Sequence, residues 1–577
     1  MERMLVPWAL AGLVAVAWWP RLRRRLDLSR AKHPSVRGHA RVASWLAKRV
    51  PAYEYSEREF FTVDQAPADV GERRRAAFFR LAEALRQGKD ETLKLTDDVR
   101  PGISDLQFTS AYRVPFQFSR FAGTHLKTGA FAAQSRGATL IDLDGRVSYD
   151  LTGSYGVNVF GHEFYKECLE AGFARARELG AALGIYHPVV ADNVGRLQAL
   201  SGLDEVSFHM SGTEAVMQAV RLARYHTGRS HLVRFCGAYH GWWDDVQPGV
   251  GNPARATTTY TLKDIDDASL HVLRTRRDIA CVLVNPLQAL HPNAGAPSDS
   301  TLLSSNRTAH FDRAGYAAWL KKLRAVCSER GIVLIFDEVF VGFRLAKRGA
   351  QEYFDVAADI VTYGKTIAGG LPIGVVCGRR NLMRRFREDR PMDICFARGT
   401  FNSHPYVMAA MNEFLRRIDS VKLGAIYADL DLVWDGRSRA LNLRLKASGL
   451  PVSVAHLSSI WTVLYNSPSC YNWMFQYYLR AEGLTLSWVG TGRLIFNINC
   501  SDVDFDAIAT RFVAAAGRMK ADGWWHQSAA LTDKATHRRI VREIWRTAIG
   551  RWLTPAGRVP PPMMEPSPVK PLEARVE

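Results

Sequence analysis

From about residue 111 onward, short apolar runs alternate with longer stretches in which apolar residues recur every three or four positions. The runs lie at 205–208, His231–Phe235, 281–284, 333–336 and 360–363. Four or five such residues between polar boundaries suit strands buried on both faces. Residues 214–226 and 313–330 carry the helical spacing between them. This alternation predicts an α/β fold, a mostly parallel sheet flanked by helices on both faces. Beyond about residue 425 a second, smaller α/β unit is expected, with strands at 461–464 and 494–498. Residues 30–110 are polar and helical in pattern. Within them, 69–87 sets Ala76, Phe79, Leu81, Ala82 and Leu85 among arginines and glutamates, as an amphipathic helix does. This stretch could pack on the main domain or on a membrane.

The ends of the chain read differently. Met4 to Trp19 is an uncharged apolar run, followed by Pro20 and then Arg21, Arg23, Arg24 and Arg25. A cleaved signal peptide, a buried helix and a single membrane anchor all compete for it. The anchor, with the arginines and everything after them on the cytoplasmic side, accounts for the tryptophans and the charges together. The expected organisation is therefore a hydrophobic anchor with a basic flank (1–29), a helical extension (30–110), an N-terminal segment with the large domain (111–424), a small C-terminal domain (425–554) and a disordered proline-rich tail (555–577).

Composition adds two points. The formal net charge of the 577 residues is +19, which favours anionic partners or simply a basic, soluble surface. Zinc-type spacings, RNA-recognition signatures and arginine-rich tails are all missing, so nucleic acid is not an expected partner. The eight cysteines are scattered without a CxxC pair, and several sit in apolar runs. That pattern predicts buried, reduced thiols.

The chemistry concentrates at two strand ends. Asp337 follows the run 333–336, at the carboxyl end of a buried strand, where ligands of open α/β sheets bind. Lys365 follows the run 360–363 and precedes the glycine-rich turn Ala368-Gly369-Gly370. Singly, each has a plain reading as a solvated lysine or a helix-capping aspartate. Met210-Ser211-Gly212-Thr213-Glu214 follows a strand and opens a helix, an anion site suited to phosphate, or an ordinary N-cap. Gly237-Ala238-Tyr239-His240-Gly241 sets an aromatic ring where it could stack on a flat heterocycle. Arg398-Gly399-Thr400-Phe401-Asn402 offers a further hydroxyl for phosphate.

Taken together and in this order, these segments resemble the class III pyridoxal-phosphate-dependent aminotransferases, most closely the glutamate-1-semialdehyde 2,1-aminomutase branch, over roughly residues 114–523. The resemblance implies the fold-type I architecture, a large cofactor-binding domain with a smaller C-terminal one. It implies that Lys365 carries pyridoxal 5'-phosphate as a Schiff base and moves protons between substrate and cofactor. Asp337 would pair with the pyridinium nitrogen, so that the ring acts as an electron sink. Ser211, Gly212 and Thr213 would bind the phosphate, and Tyr239, beside His240, would stack on the ring. Thr400 would reach the phosphate in a neighbouring subunit, which implies a homodimer with shared active sites.

The sequence also departs from that branch. Asn285-Pro286-Leu287-Gln288 stands where the family has Glu-Pro-Val, so Asn285 removes a negative charge. Gln288 matches a glutamine of many class III aminotransferases that contacts the cofactor's phenolic oxygen and that aminomutases lack. Arg120 is the nearest counterpart of the aminomutase arginine that holds the substrate carboxylate, and Ser154 and Tyr155 line the expected substrate entrance. The expected reaction is amino-group transfer or its aminomutase form on a small, lipid-linked or carrier-linked amino or carbonyl substrate. Decarboxylation or carbon–carbon bond formation on the same fold is the alternative, and an inactive membrane-tethered scaffold a remoter one.

Overall fold

The computed structural model describes residues 18–553, apart from 255, 301, 303–306 and 308. Its centre is a seven-stranded sheet: β1 (Glu205–His209), β2 (His231–Phe235), β3 (Thr259–Leu262), β4 (Ile279–Val284), β5 (Val333–Asp337), β6 (Ile360–Gly364) and β7 (Gly374–Gly378). The spatial order is β1-β7-β6-β5-β4-β2-β3, and β7 runs antiparallel to both neighbours while the other pairings are parallel. Every residue of β4, β5, β6 and β7 is buried, because helices cover both faces. The five expected strands and the helices Gly212–Thr227 and Arg313–Arg330 are all present. The crossovers leave the carboxyl ends of the parallel strands on one edge, and Asp337 and Lys365 lie there on adjacent strands.

The C-terminal unit contains an antiparallel sheet of Val452–Leu457, Ile460–Tyr465 and Leu494–Ile495. A separate four-stranded sheet joins Gln134–Arg136, Thr139–Ile141 and Val147–Asp150 to Leu484–Thr485. The segment before the large domain is thereby hydrogen-bonded to the C-terminal unit. All eight cysteines are buried and free.

Residues 30–110 pack on protein. The helix Ala68–Arg86 turns Phe78, Leu81, Ala82 and Leu85 inward. Phe60, Phe61 and Phe118 meet Trp473, Tyr471 and Trp524 of the C-terminal unit edge to face or tilted, an arrangement that aromatic quadrupoles favour. Arg74, wholly buried, pairs with Asp64 at 2.7 Å and donates to the Gly523 carbonyl at 2.8 Å. The last described helix, Asp533–Leu553, returns to the same region, where Glu543 accepts from Tyr53 at 3.0 Å and Tyr55 at 2.7 Å.

The membrane anchor expected for residues 1–29, and with it the membrane-associated location, is corrected. Among the described residues no helix is long and apolar enough to cross a membrane. Residues 1–17 lie outside the described residues; residues 18–30 form a helix that runs directly onto the large domain. Leu28 packs against the core, and the buried Ala31 accepts from the Lys263 backbone at 2.7 Å. The arginine run lies on the exposed part of this helix, whose end docks on the large domain. The tail expected to be disordered, 555–577, lies outside the described residues.

Candidate active site

Lys365 is the first residue after β6, and its backbone takes a φ of 50°, a left-handed conformation that a lysine adopts only when its surroundings impose it. The turn aims the side chain back over the sheet edge. Its Nζ lies 6.0 Å from the Phe340 ring centroid and forms no hydrogen bond or ion pair among the described residues. Burial lowers its pKa, Asp337 counters this, and the nearby Arg493 adds to the lowering. A desolvated lysine of this kind supplies a neutral amine more readily than a solvated one.

Asp337 ends β5 and pairs in register with Thr362 of β6, three residues before the lysine. It is nearly fully buried. Its Oδ2 accepts from His240 Nδ1 at 2.8 Å, and its Oδ1 accepts from the Val339 backbone at 3.2 Å. His240 is enclosed, and burial holds its pKa down against the pull of the carboxylate. With Nδ1 donating to Asp337, the ring needs no second proton, and its Nε2 has no partner.

The loop that carries His240 also carries Tyr239, and Gly241 explains how it reaches the site. Gly241 has a φ of +95°, and a Cβ there would lie 2.4 Å from Thr213 Oγ1. The missing side chain lets the loop close onto the first turn of the helix Gly212–Thr227. At that turn Ser211 caps the helix by accepting from the Glu214 backbone at 3.2 Å, which leaves the N–H groups of Gly212 and Thr213 free to meet an anion. Asn285 also has a place here: its Nδ2 donates to the Tyr239 carbonyl at 2.8 Å, a bond that a glutamate could not make while ionised. Gln288 is buried with its Oε1 unpartnered.

The turn 153–156 packs against the lysine. Ser154 and Tyr155 have φ values of 47° and 56°, and at Gly156 a Cβ would stand 3.4 Å from Lys365 Cδ. Ser154 and Tyr155 thus belong to the turn whose last residue, Gly156, lies against Lys365. Arg120 does not border the site: its side chain is 82% exposed and pairs with Glu54 at 3.5 Å. The helix Phe116–His125 buries Phe118 and Ala122 against the aromatic cluster, which points position 120 to solvent. The arginine that the sequence reading missed is Arg493. It shares the Phe340 ring with Lys365, with Cζ 5.5 Å from the centroid, and its Nε is enclosed and unpartnered. It follows the Gly490-Thr491-Gly492 turn, far from every quoted motif, so no local signal marked it. Thr400 lies exposed on a surface loop.

A carboxylate at a strand end, a desolvated amine on the next strand, an aromatic ledge and an open helix start fit pyridoxal 5'-phosphate group by group. Fold and site thus define a fold-type I enzyme dependent on that cofactor. The pattern described as aminotransferase class-III matches residues 121–246 and 312–432. The chain is 31% identical over 366 residues to the glutamate-1-semialdehyde 2,1-aminomutase of Citrifermentans bemidjiense, covering 59% of this chain and 78% of that protein. It is 34% identical over 308 residues to the enzyme of the same name from Methanocaldococcus jannaschii, covering 50% and 66%. A solved transaminase with PLP bound aligns over 73% of this chain and 99% of its own, at TM-score 0.57 and 26% identity. The glutamate-1-semialdehyde aminomutase of Pseudomonas aeruginosa shares the fold at TM-score 0.61 and 18% identity, over 78% and 99%. The chain belongs to the class III aminotransferase family and is a pyridoxal-phosphate-dependent enzyme of the aminotransferase or aminomutase type.

Proposed function

We propose that Lys365 carries the cofactor and that the enzyme moves an amino group on a substrate whose carboxylate is held by Arg493. The observation that supports this most directly is the meeting of Lys365, Asp337 and His240 at adjacent strand ends, under a loop closed onto the helix start. When bound, the cofactor supplies the electron sink for bond breaking at the substrate carbon. The chain does the rest. Thr213 and the N–H groups of the helix start hold the phosphate, with Ser211 capping that turn. Tyr239 and the buried loop around it exclude water from one ring face. Asp337, oriented by the hydrogen bond from His240, would pair with the ring nitrogen. Lys365 Nζ, its basicity lowered by burial, takes the proton from the substrate carbon and returns it.

Arg493 supports a carboxylate-bearing substrate because, among the described residues, its guanidinium forms no ion pair. Gln288, which aminomutases lack, favours intermolecular transfer over isomerisation. We also infer a homodimer in which Thr400 completes the phosphate site of the partner. Trp242, next to Gly241 in the loop over the site, is 75% exposed, an apolar surface that a second copy would cover.

The test is the visible spectrum of the purified protein, with borohydride reduction and peptide mapping. Wild type should be yellow, with the reduced adduct on Lys365, and K365A should give no adduct. A protein that stays colourless with added cofactor would falsify the assignment. Release of a keto acid in step with consumption of an amino donor marks transfer; isomerisation of one substrate with nothing released marks a mutase.

A further inference from the structure

The helical extension and the small four-stranded sheet enclose a cavity of about 200 Å³ whose walls carry four cations. Lys89 comes from the junction between the helices Ala68–Arg86 and Asp90–Val99. Lys127 precedes the first strand of that sheet, and Arg146 lies in the turn between Thr139–Ile141 and Val147–Asp150. Arg480 comes from the helix Phe475–Ala481. Hydrogen bonds that cross between segments hold these walls together. The Asp144 carboxylate accepts from the backbones of Glu91 at 2.9 Å and Thr92 at 3.0 Å. Thr92 Oγ1 accepts from the Leu143 backbone at 3.1 Å, and Thr96 Oγ1 from the Ala130 backbone at 3.0 Å. Arg146 Nη1 donates to the Gln87 carbonyl.

What the cavity lacks is negative charge. Asp142 is the one acid that lines it among the described residues. Its Oδ1 is taken by its own turn, accepting from the backbones of Asp144 at 3.1 Å and Arg146 at 2.9 Å. Lys127 pairs with Asp97 at 3.5 Å, but Asp97 is shared with Arg100 at 2.6 Å. Arg480 commits Nη2 to the carbonyls of Leu486 and Ser487 at 2.8 and 2.9 Å, while its Nε is enclosed and unpartnered. The Lys89 side chain forms no hydrogen bond or ion pair among the described residues. Burial lowers its pKa, and Arg146 and Arg480 add to the lowering against the pull of Asp142 and Asp144. An ammonium that shares a half-closed cavity with two guanidiniums costs stability unless an anion meets it. Cations converging from four segments suit a compact anion with several acceptor oxygens. The cavity is smaller than the ~300–1,000 Å³ pockets that hold drug-sized ligands, so it takes one ionic group.

We propose that the cavity between Lys89, Lys127, Arg146 and Arg480 is a phosphate site that fastens the helical extension to the body of the enzyme. Its occupant is inorganic phosphate or the phosphoryl group of a small organic phosphate. The site owes Lys89 to the extension, outside the residues that the class III pattern matches. It does not depend on the assignment of Lys365.

The test uses the cofactor-loaded enzyme, so that the cofactor's own phosphate pocket is occupied. Inorganic phosphate and glycerol phosphate are titrated calorimetrically, at constant ionic strength, into wild type, K89M, K89R and R146M. Wild type should bind at least one of the two with one-to-one stoichiometry. Tighter inorganic phosphate marks a closed ion site, and tighter glycerol phosphate marks a phosphoryl group carried on an organic ligand. K89M and R146M should each weaken binding at least about tenfold, the worth of a charge-assisted hydrogen bond, and K89R should keep most of it. In chloride alone, K89M should melt no lower than wild type, because the lysine it removes contributes repulsion and no bond. Absence of binding in wild type overturns the site however the variants fold. Binding that K89M and R146M leave unchanged places the anion elsewhere and overturns it too. A lower melt for K89M in chloride contradicts the uncompensated charge on which the site rests.

Discussion

His240 Nδ1 donates to Asp337 Oδ2 at 2.8 Å, and both side chains are buried at the edge where β5 and β6 end. The carboxylate thus has one oxygen committed to an imidazole, while the other accepts from the Val339 backbone at 3.2 Å. Asp337→Asn should keep the fold, because the amide is isosteric, yet reduce turnover by about 10²-fold or more, the scale of a lost electrostatic partner at a reacting centre. His240→Ala leaves Asp337 without its main donor and should cost about 1–3 kcal/mol of stability together with a weaker cofactor complex. Denaturant titration and cofactor absorbance measure the two effects separately. Unchanged turnover in the asparagine variant would remove Asp337 from the mechanism.

Arg493 lowers the basicity of Lys365 and Asp337 raises it, with burial the larger influence. Removing the arginine should therefore raise the lysine's pKa. Arg493→Met is expected to move the pH profile of cofactor uptake by the cofactor-free enzyme to higher pH, since the amine must be neutral to react. It should also weaken carboxylate-bearing substrates more than uncharged amines. A profile that stays in place would show that the two cations do not sense each other.

Glu338, beside Asp337, is enclosed, and burial pushes its pKa up to about 8 against the hydrogen bonds from the 350–351 backbone. The folded state therefore holds a proton that the unfolded chain releases near the ordinary carboxylate value. Stability on this account is full at acid pH and falls as pH rises from the unfolded pKa toward about 8. Glu338→Gln should flatten that part of the profile. Thermal melts at several pH values compare the slopes, and parallel slopes would refute the prediction.

Gly241 makes the loop of Tyr239 and His240 fit over Thr213. Gly241→Ala puts a methyl where Thr213 Oγ1 already stands, at a φ that alanine avoids. The strain should be about 1–3 kcal/mol, felt mainly as a cofactor dissociation constant at least about tenfold larger. Absorbance titration of the cofactor-free variant is the measurement, and wild-type affinity would mean that the loop can move aside.

Much of this enzyme was legible in the order of its residues. An apolar run followed by Asp337, and another followed by Lys365, placed both groups at strand ends, because strand burial and the turn that follows are local properties. The helix start at 211–214 and the glycines around Tyr239 were legible for the same reason. Two readings failed for a shared cause. The arginine run after Trp19 looked like a membrane flank, yet its helix leads into Ala31, buried against Lys263 more than two hundred positions away. Arg120 was the nearest counterpart of a carboxylate-holding arginine, but the aromatic cluster that its helix packs against turned it to solvent.

The sequence by itself determined the sheet, the strand-end position of Lys365 and the family, since each depends on neighbours within a few residues. Only the tertiary structure decided which arginine lies beside Lys365. Arg493 comes from a distant segment and carries no motif. Long-range packing sets its guanidinium over the same Phe340 ring as the lysine and leaves its Nε enclosed without a partner among the described residues.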